Sequence, residues 1–224
     1  MVDNELTVKE RLDSVRQAIR HGAKKSGRDP DSVALIAVSK TYDGEAVAPF
    51  IRAGQRIFGE NRVEEASKKF PQLIEHYGPL ELHLVGQLQS NKANDAVRLF
   101  DAIHSVDRES LIAAIARGSD RYGKRPRCFI QVNIGEEPQK GGCPVTGLAT
   151  LLKAATVAGL DIAGLMAIPP GGAEAAPYFA LLAKLAHDFG LAGLSIGMSG
   201  DYGTAIMLGA THVRIGSALF GERT

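Results

Sequence analysis

The chain has 224 residues, 45% of them hydrophobic, enough for one full-cored domain of the larger kind or two small ones. Lys and Arg total 26 against 25 Asp and Glu, so the basic excess that a nucleic-acid partner demands is missing. Two cysteines build no disulfide framework, no stretch nears the roughly 20 apolar residues of a membrane span, and the charged opening MVDNELTVKERLDSVRQAIR lacks the apolar segment of a secretory signal; a cytoplasmic, soluble protein with reduced thiols is expected.

From the N-terminus, the periodicity predicts a helix over roughly residues 5–25. Eight short apolar runs follow: VALIAVS (33–39), RIFG (56–59), LELHLVG (80–86), AIHSV (102–106), RCFIQVNI (127–134), DIAGLMAI (161–168), GLSIGMS (193–199) and HVRIG (212–216). Helical periodicity fills Glu60–Tyr77, Asn91–Phe100, Arg108–Arg117, Thr146–Ala158 and Ala173–Phe189. Continuous apolar strands joined by helices call for parallel pairing with both faces covered. Eight units in this length predict an α/β fold, a single (β/α)8 TIM barrel with an extra N-terminal helix, over a doubly wound open sheet. One domain, 1–224, is expected, with no linker or repeat. The loops GEEPQKGGCPVTG (135–147) and IPPGGAEAAP (168–177) fall after the fifth and sixth strands, on the face where barrels keep their active sites.

The last two βα turns carry the clearest chemical signal. GMSGD (197–201) and RIGSALFG (214–221) each follow a strand and open a helix, the place where barrels bind phosphate through free backbone N–H groups. Gly200 and Gly216 let the backbone approach, and Ser199 and Ser217 add hydroxyls; the plainer reading is tight turns. Lys40 closes the first strand, and a neutral lysine amine at a barrel mouth attacks aldehydes. Opposite a phosphate cradle it points to an aldehyde bearing a phosphate, either pyridoxal 5′-phosphate (PLP) or a sugar phosphate. Arg214 lies inside an apolar strand, where a permanent cation needs a partner: a carboxylate such as Glu60, or a ring nitrogen or anion within the barrel. Asn61 either orients a ligand or caps a helix. His83, His104 and His212 fall on three strands without H-x-H or H-E-x-x-H spacing, so no metal is expected. Cys128 reads as core and Cys143 as loop.

Several motifs occur together and in order: AVSK (37–40), FGENRVEE (58–65), HLVGQLQSNK (83–92), SVD (105–107), QVNIGEEPQKGG (131–142), GLMAI (164–168) and GMSGDYGTAIMLGATHVRIGSALFG (197–221). In these the chain resembles the pyridoxal phosphate homeostasis proteins, whose fold is similar to the N-terminal barrel of alanine racemase. The resemblance implies that Lys40 holds PLP as a Schiff base and that Ser199, Gly200, Gly216 and Ser217 bind its phosphate. It implies further that Arg214 faces the pyridine nitrogen, that Asn61 and Met166 line the ring, and that His83 contributes at the mouth. The departures are Thr41, Tyr42 and Asp43, where relatives commonly carry a Lys-Pro pair, and the loop at Gly142, Cys143 and Pro144.

The resemblance implies a carrier and buffer of PLP, with apo PLP enzymes as recipients and no robust catalysis; a barrel without a partner domain is expected to be a monomer. An always-charged arginine discourages protonation of the ring nitrogen, which weakens the ring as an electron sink. Alanine racemase draws its opposing base from a second domain, for which a single barrel leaves no room, and a missing base costs two-sided proton transfer about 10²–10⁴-fold. The alternatives are a low-efficiency amino-acid racemase or lyase and a Schiff-base aldolase or isomerase acting on a sugar phosphate.

Overall fold

A computed structural model describes residues 2–221, with side chains from residue 7. Eight parallel strands close into a barrel in sequential order: β1 (Ala34–Val38), β2 (Ile57–Glu60), β3 (Glu81–Leu84), β4 (Ala102–Val106), β5 (Arg127–Gln131), β6 (Asp161–Met166), β7 (Gly193–Ser195) and β8 (His212–Ile215). β8 closes on β1 through the register Ala34↔His212 to Ala37↔Ile215. The helices are α1 (Val2–Lys25), α2 (Gly44–Arg52), α3 (Val63–Tyr77), α4 (Ala93–Leu99), α5 (Glu109–Tyr122), α6 (Leu148–Val157), α7 (Ala176–Asp188), α8 (Tyr202–Met207) and α9 (Ser217–Phe220).

The expected barrel is therefore present, with its extra helix α1 packed against α8, α9 and α2. Most strands end earlier than their apolar runs. Residues 132–134, 167–168 and 196–199 lie beyond the strand ends, and Val132, Ile134, Ala167 and Ile196 are apolar because they stay buried in the core. Helix α2 was not among the expected helical stretches: it begins at Gly44 and contains Pro49, both poor helix formers. It forms because the Asp43 side chain accepts from Ala46 N–H at 2.9 Å and because Val47, Phe50 and Ile51 are buried against the sheet.

Alternation along each strand divides the buried residues into two layers. The large apolar cluster between sheet and helices takes Leu35, Ala37, Leu165, Val213 and Ile215. The alternate residues point into the barrel: Ile36, His83, His104, Phe129, Met166, Ser195, His212 and Arg214. The barrel interior is thus markedly polar, where bulky branched aliphatic side chains usually dominate. Close backbone approach requires glycine at one point on this sheet. A Cβ on Gly164 would lie 2.0 Å from Gly193 O across the β6–β7 pair.

Candidate ligand site at the barrel mouth

A cavity of about 590 Å³ opens at the C-terminal ends of the strands, within the range of small-molecule sites. β1 delivers Val38, Lys40 and Tyr42; β2 and β3 deliver Asn61 and Val85; β6 delivers Ile168. The β7 turn adds Met198, Ser199 and Gly200, and β8 adds Arg214, Gly216 and Ser217. Seven of the nine expected site residues converge here. Met166 and His83 do not line the cavity: both are fully buried inside the barrel, one layer down. Their strand parity points them inward, but their position along β6 and β3 puts them below the mouth. Ile168 and Val85, two residues further along each chain, take the lining positions.

Lys40 lies in a turn two residues beyond β1, half-buried, rather than ending the strand. That turn is held from below by a group the sequence reading missed. Lys69 of α3, 8% exposed, donates to Ser39 O (2.8 Å) and Tyr42 O (2.7 Å), the carbonyls flanking Lys40 and Thr41. It also pairs with Glu60 at 2.6 Å. Glu60 accepts from Ser39 Oγ at 2.7 Å, and burial pushes its carboxyl above the usual range against the pull of Lys69. Thr41 takes a left-handed φ of 70°, unusual for a β-branched residue, and its N–H donates to Glu65 Oε1. A strained turn fixed by buried bonds is a mark of a functional position.

Arg214 has no carboxylate partner among the described residues; the carboxylate considered for it, Glu60, is committed to Lys69. Its guanidinium donates to Ser195 O, to Ser195 Oγ (2.7 Å) and to Ala167 O (3.1 Å). Three of five N–H donors are used, and the side chain still lines the cavity. Burial lowers its pKa to about 10, so it remains a cation at neutral pH.

The two final turns, expected from the sequence to bind phosphate, lie side by side at the mouth. Asp201 Oδ1 accepts from Met198 N–H (2.6 Å), curling residues 198–201, and Ser199 Oγ accepts from Ala218 N–H (3.3 Å), joining the turns. Among the described residues, the N–H groups of Ser199, Gly200 and Ser217 donate to no protein acceptor. A Cβ added at Gly200 would meet nothing within 4 Å. Unpaired donors around open space, flanked by Lys40 and Arg214, fit an anion. Asn61 precedes α3 by two residues, so Arg62 holds the N-cap place and the Asn61 side chain is left to the cavity.

Tyr42 at the departure after Lys40 stacks on Phe220 (4.9 Å between centroids), and its hydroxyl donates to Gly221 O at 3.3 Å. At the other departure, Cys143 N–H donates to Gln131 O (2.9 Å) and Asn133 N–H to Cys143 O (2.9 Å), which pins the loop to the end of β5.

Residues 11–224 match the family described as alanine racemase, N-terminal domain. A pyridoxal phosphate homeostasis protein of Pseudomonas aeruginosa is 40% identical over 97% of this chain and 96% of its own length. The chain belongs to the pyridoxal phosphate homeostasis protein family. The family member of Escherichia coli K12 is 39% identical over 95% of both chains. The solved structure of PipY from Synechococcus elongatus PCC7942 with PLP bound superposes with a TM-score of 0.83 at 38% identity, covering 96% of this chain and all of that one. Alanine racemase of Clostridium difficile, at 13% identity and a TM-score of 0.67, shares the fold and extends well beyond it, since this chain covers 56% of that one.

Proposed function

We propose that this protein binds PLP at the barrel mouth through Lys40 and serves to hold and release it in PLP homeostasis. The observation that carries the reading is the joining of a lysine amine, an anion cradle and a buried arginine around one cavity, in a chain whose relatives bear that name. When bound, PLP supplies an aldehyde that condenses with a lysine amine and releases water. Every other task falls to this chain. Ser199, Gly200 and Ser217 N–H groups, with the serine hydroxyls, take the phosphate; Gly216 keeps the β8 turn open beside them. Arg214 presents its two remaining donors to the ring-nitrogen side and carries its positive charge there. Asn61, Val85 and Ile168 flank the ring, with Met198 at the rim. Residues 2–221 include no helix long and apolar enough to cross a membrane.

Binding rather than turnover is the reading best supported. Among the described residues, the titratable side chains lining the cavity are Lys40, Tyr42 and Arg214. Arg214 stays charged, and Tyr42 has its ring stacked and its hydroxyl engaged with Gly221 O. Two-sided proton transfer on a bound amino acid needs a second positioned base, whose absence costs roughly 10²–10⁴-fold. A monomer that passes PLP to apo enzymes completes the proposal.

The test compares the wild type with Lys40→Ala after incubation with PLP and gel filtration. The wild type should keep a visible absorption band that borohydride fixes to the peptide carrying Lys40, and the variant should lose it. An unchanged band in Lys40→Ala overturns the role of Lys40. Interconversion of alanine or serine enantiomers in proportion to added protein would overturn the non-catalytic reading.

A further inference from the structure

The barrel interior contains a buried polar chain that neither the fold nor the binding of an anion requires. It starts at the base of the barrel with Glu81, the first residue of β3. His83 Nε2 lies 2.7 Å from Glu81 Oε1, and His83 Nδ1 lies 2.9 Å from His104 Nε2. His104 Nδ1 lies 2.8 Å from Ser195 Oγ, which in turn accepts from Arg214 at 2.7 Å. His83, His104 and Ser195 are wholly buried. Four hydrogen bonds thus run from one end of the barrel to the cavity at the other.

The ends of the chain dictate its direction. A guanidinium only donates, and an ionised carboxylate only accepts. Each of the three groups between them must then accept one bond and donate one. A single order satisfies this: Arg214 donates to Ser195, Ser195 to His104 Nδ1, His104 Nε2 to His83 Nδ1, and His83 Nε2 to Glu81. Both rings are uncharged and carry their proton on Nε2. The opposite order would require a second buried cation and would leave the Ser195 proton unpaired beside Arg214. We propose that Glu81, His83, His104 and Ser195 are positioning residues for Arg214, a one-directional hydrogen-bond chain that aims the guanidinium into the ligand cavity from the far end of the barrel.

The surroundings favour this order. Arg127 shares Glu81 and helps keep it ionised; the Glu81 carboxyl sits at about 2, held down first by its hydrogen bond with His83 and also by Arg127. His104 is pushed well below the usual histidine range, first by burial and also by the cations Arg214 and Arg127. Its ring stacks on Phe129 at 4.3 Å, which fixes the ring plane. His212 lies 6.0 Å from both His83 and His104 and hydrogen-bonds Thr211 Oγ1 at 2.8 Å, outside the chain. Aligned bonds polarise one another, so Ser195 Oγ accepts more strongly because its own proton leans toward His104. The proposed role rests on the PLP reading of the mouth; the proton order does not.

Two measurements test the proposal. In ligand-free protein with ¹⁵N-labelled histidine at neutral pH, His83 and His104 should both appear as Nε2–H tautomers. An Nδ1–H tautomer or an imidazolium at either ring overturns the chain, whatever the mouth binds. Glu81→Gln, at the partly exposed end, and Ser195→Ala, next to Arg214, then break it at opposite ends, and folding is checked by circular dichroism. Each should speed exchange of the Arg214 guanidinium protons about tenfold and move the visible band of PLP-loaded protein. The remote Glu81→Gln should also weaken PLP retention by about three- to tenfold, the size of one ordinary net hydrogen bond passed along the chain. Unchanged exchange in a folded Glu81→Gln variant overturns the positioning role. A wild type that forms no Lys40-linked band refutes the PLP reading instead, while the tautomers and the exchange rates still decide the chain.

Discussion

Replacing Lys69 by Met should damage this protein more than any surface charge change, through the turn that carries Lys40. The Lys69 and Glu60 side chains are 5% and 0% exposed and meet at 2.6 Å. Removing one partner of such a pair leaves an unpaired buried charge and costs about 3–5 kcal/mol. Glu60 Oε2 already accepts no hydrogen bond, so the carboxylate would keep only Ser39 Oγ. The carbonyls of Ser39 and Tyr42 lose a donor as well, at about 1 kcal/mol each. The sum is a large share of the roughly 5–15 kcal/mol of a typical domain. Urea denaturation at constant slope should therefore place Lys69→Met about 4 kcal/mol or more below the wild type. The loss has a pH signature. A carboxyl whose folded pKa is raised binds a proton more readily when folded, so stability falls as pH rises from its ordinary value of 4.5 through the folded pKa. Without Lys69 that window widens upward, and the penalty should be greater at pH 8 than at pH 5. Adding Glu60→Gln should restore most of the stability at pH 8 but not the anchoring of the Lys40 turn, read by faster amide exchange at Thr41. A single-variant loss under about 1 kcal/mol, or a double variant no better than the single one, refutes the reasoning.

Further outcomes follow from other parts of the molecule. Gly200→Val should fold with wild-type stability, because a Cβ there meets no protein atom, yet fill the cradle and weaken PLP retention at least about tenfold by equilibrium dialysis. Gly164→Ala should be strongly destabilised, by more than about 3 kcal/mol in the same urea assay, since its Cβ collides with backbone across β6 and β7. Cys128 and Cys143, pushed up to about 12 and about 11 chiefly by burial, should resist a thiol reagent at pH 8 until the chain is unfolded. Acid should destabilise the fold in two stages. His212, lowered to about 4 mainly by burial, loses its contribution as pH falls from 6.5 toward 4, up to about 3 kcal/mol; Glu81, lowered to about 2, loses its own below 4.5. His212→Phe should shrink the first stage, which the buried His104 also feeds, and leave the second.

By itself, the order of apolar runs and helical stretches determined the barrel, since parallel strands buried on both faces write themselves as continuous Val, Ile and Leu segments. The glycines, serines and lysine after the first, seventh and eighth strands determined the mouth, because the barrel places every βα turn on one face. Helix α2 was hidden behind Gly44 and Pro49, whose poor intrinsic helix formation is overridden by burial of its apolar face. Only the tertiary structure decided which charges are buried. Lys69 sits among Glu64, Glu65 and Lys68 on an amphipathic helix and reads there like any solvated lysine. What sets it apart is contact with Ser39, Tyr42 and Glu60, none of them on its own helix. Period-two alternation likewise turns His83, His104, Ser195 and Arg214 inward, but says nothing of their heights along four separate strands. Stagger around the closed barrel sets those heights, and through them His83 and Met166 lie beneath the site while four polar side chains meet end to end.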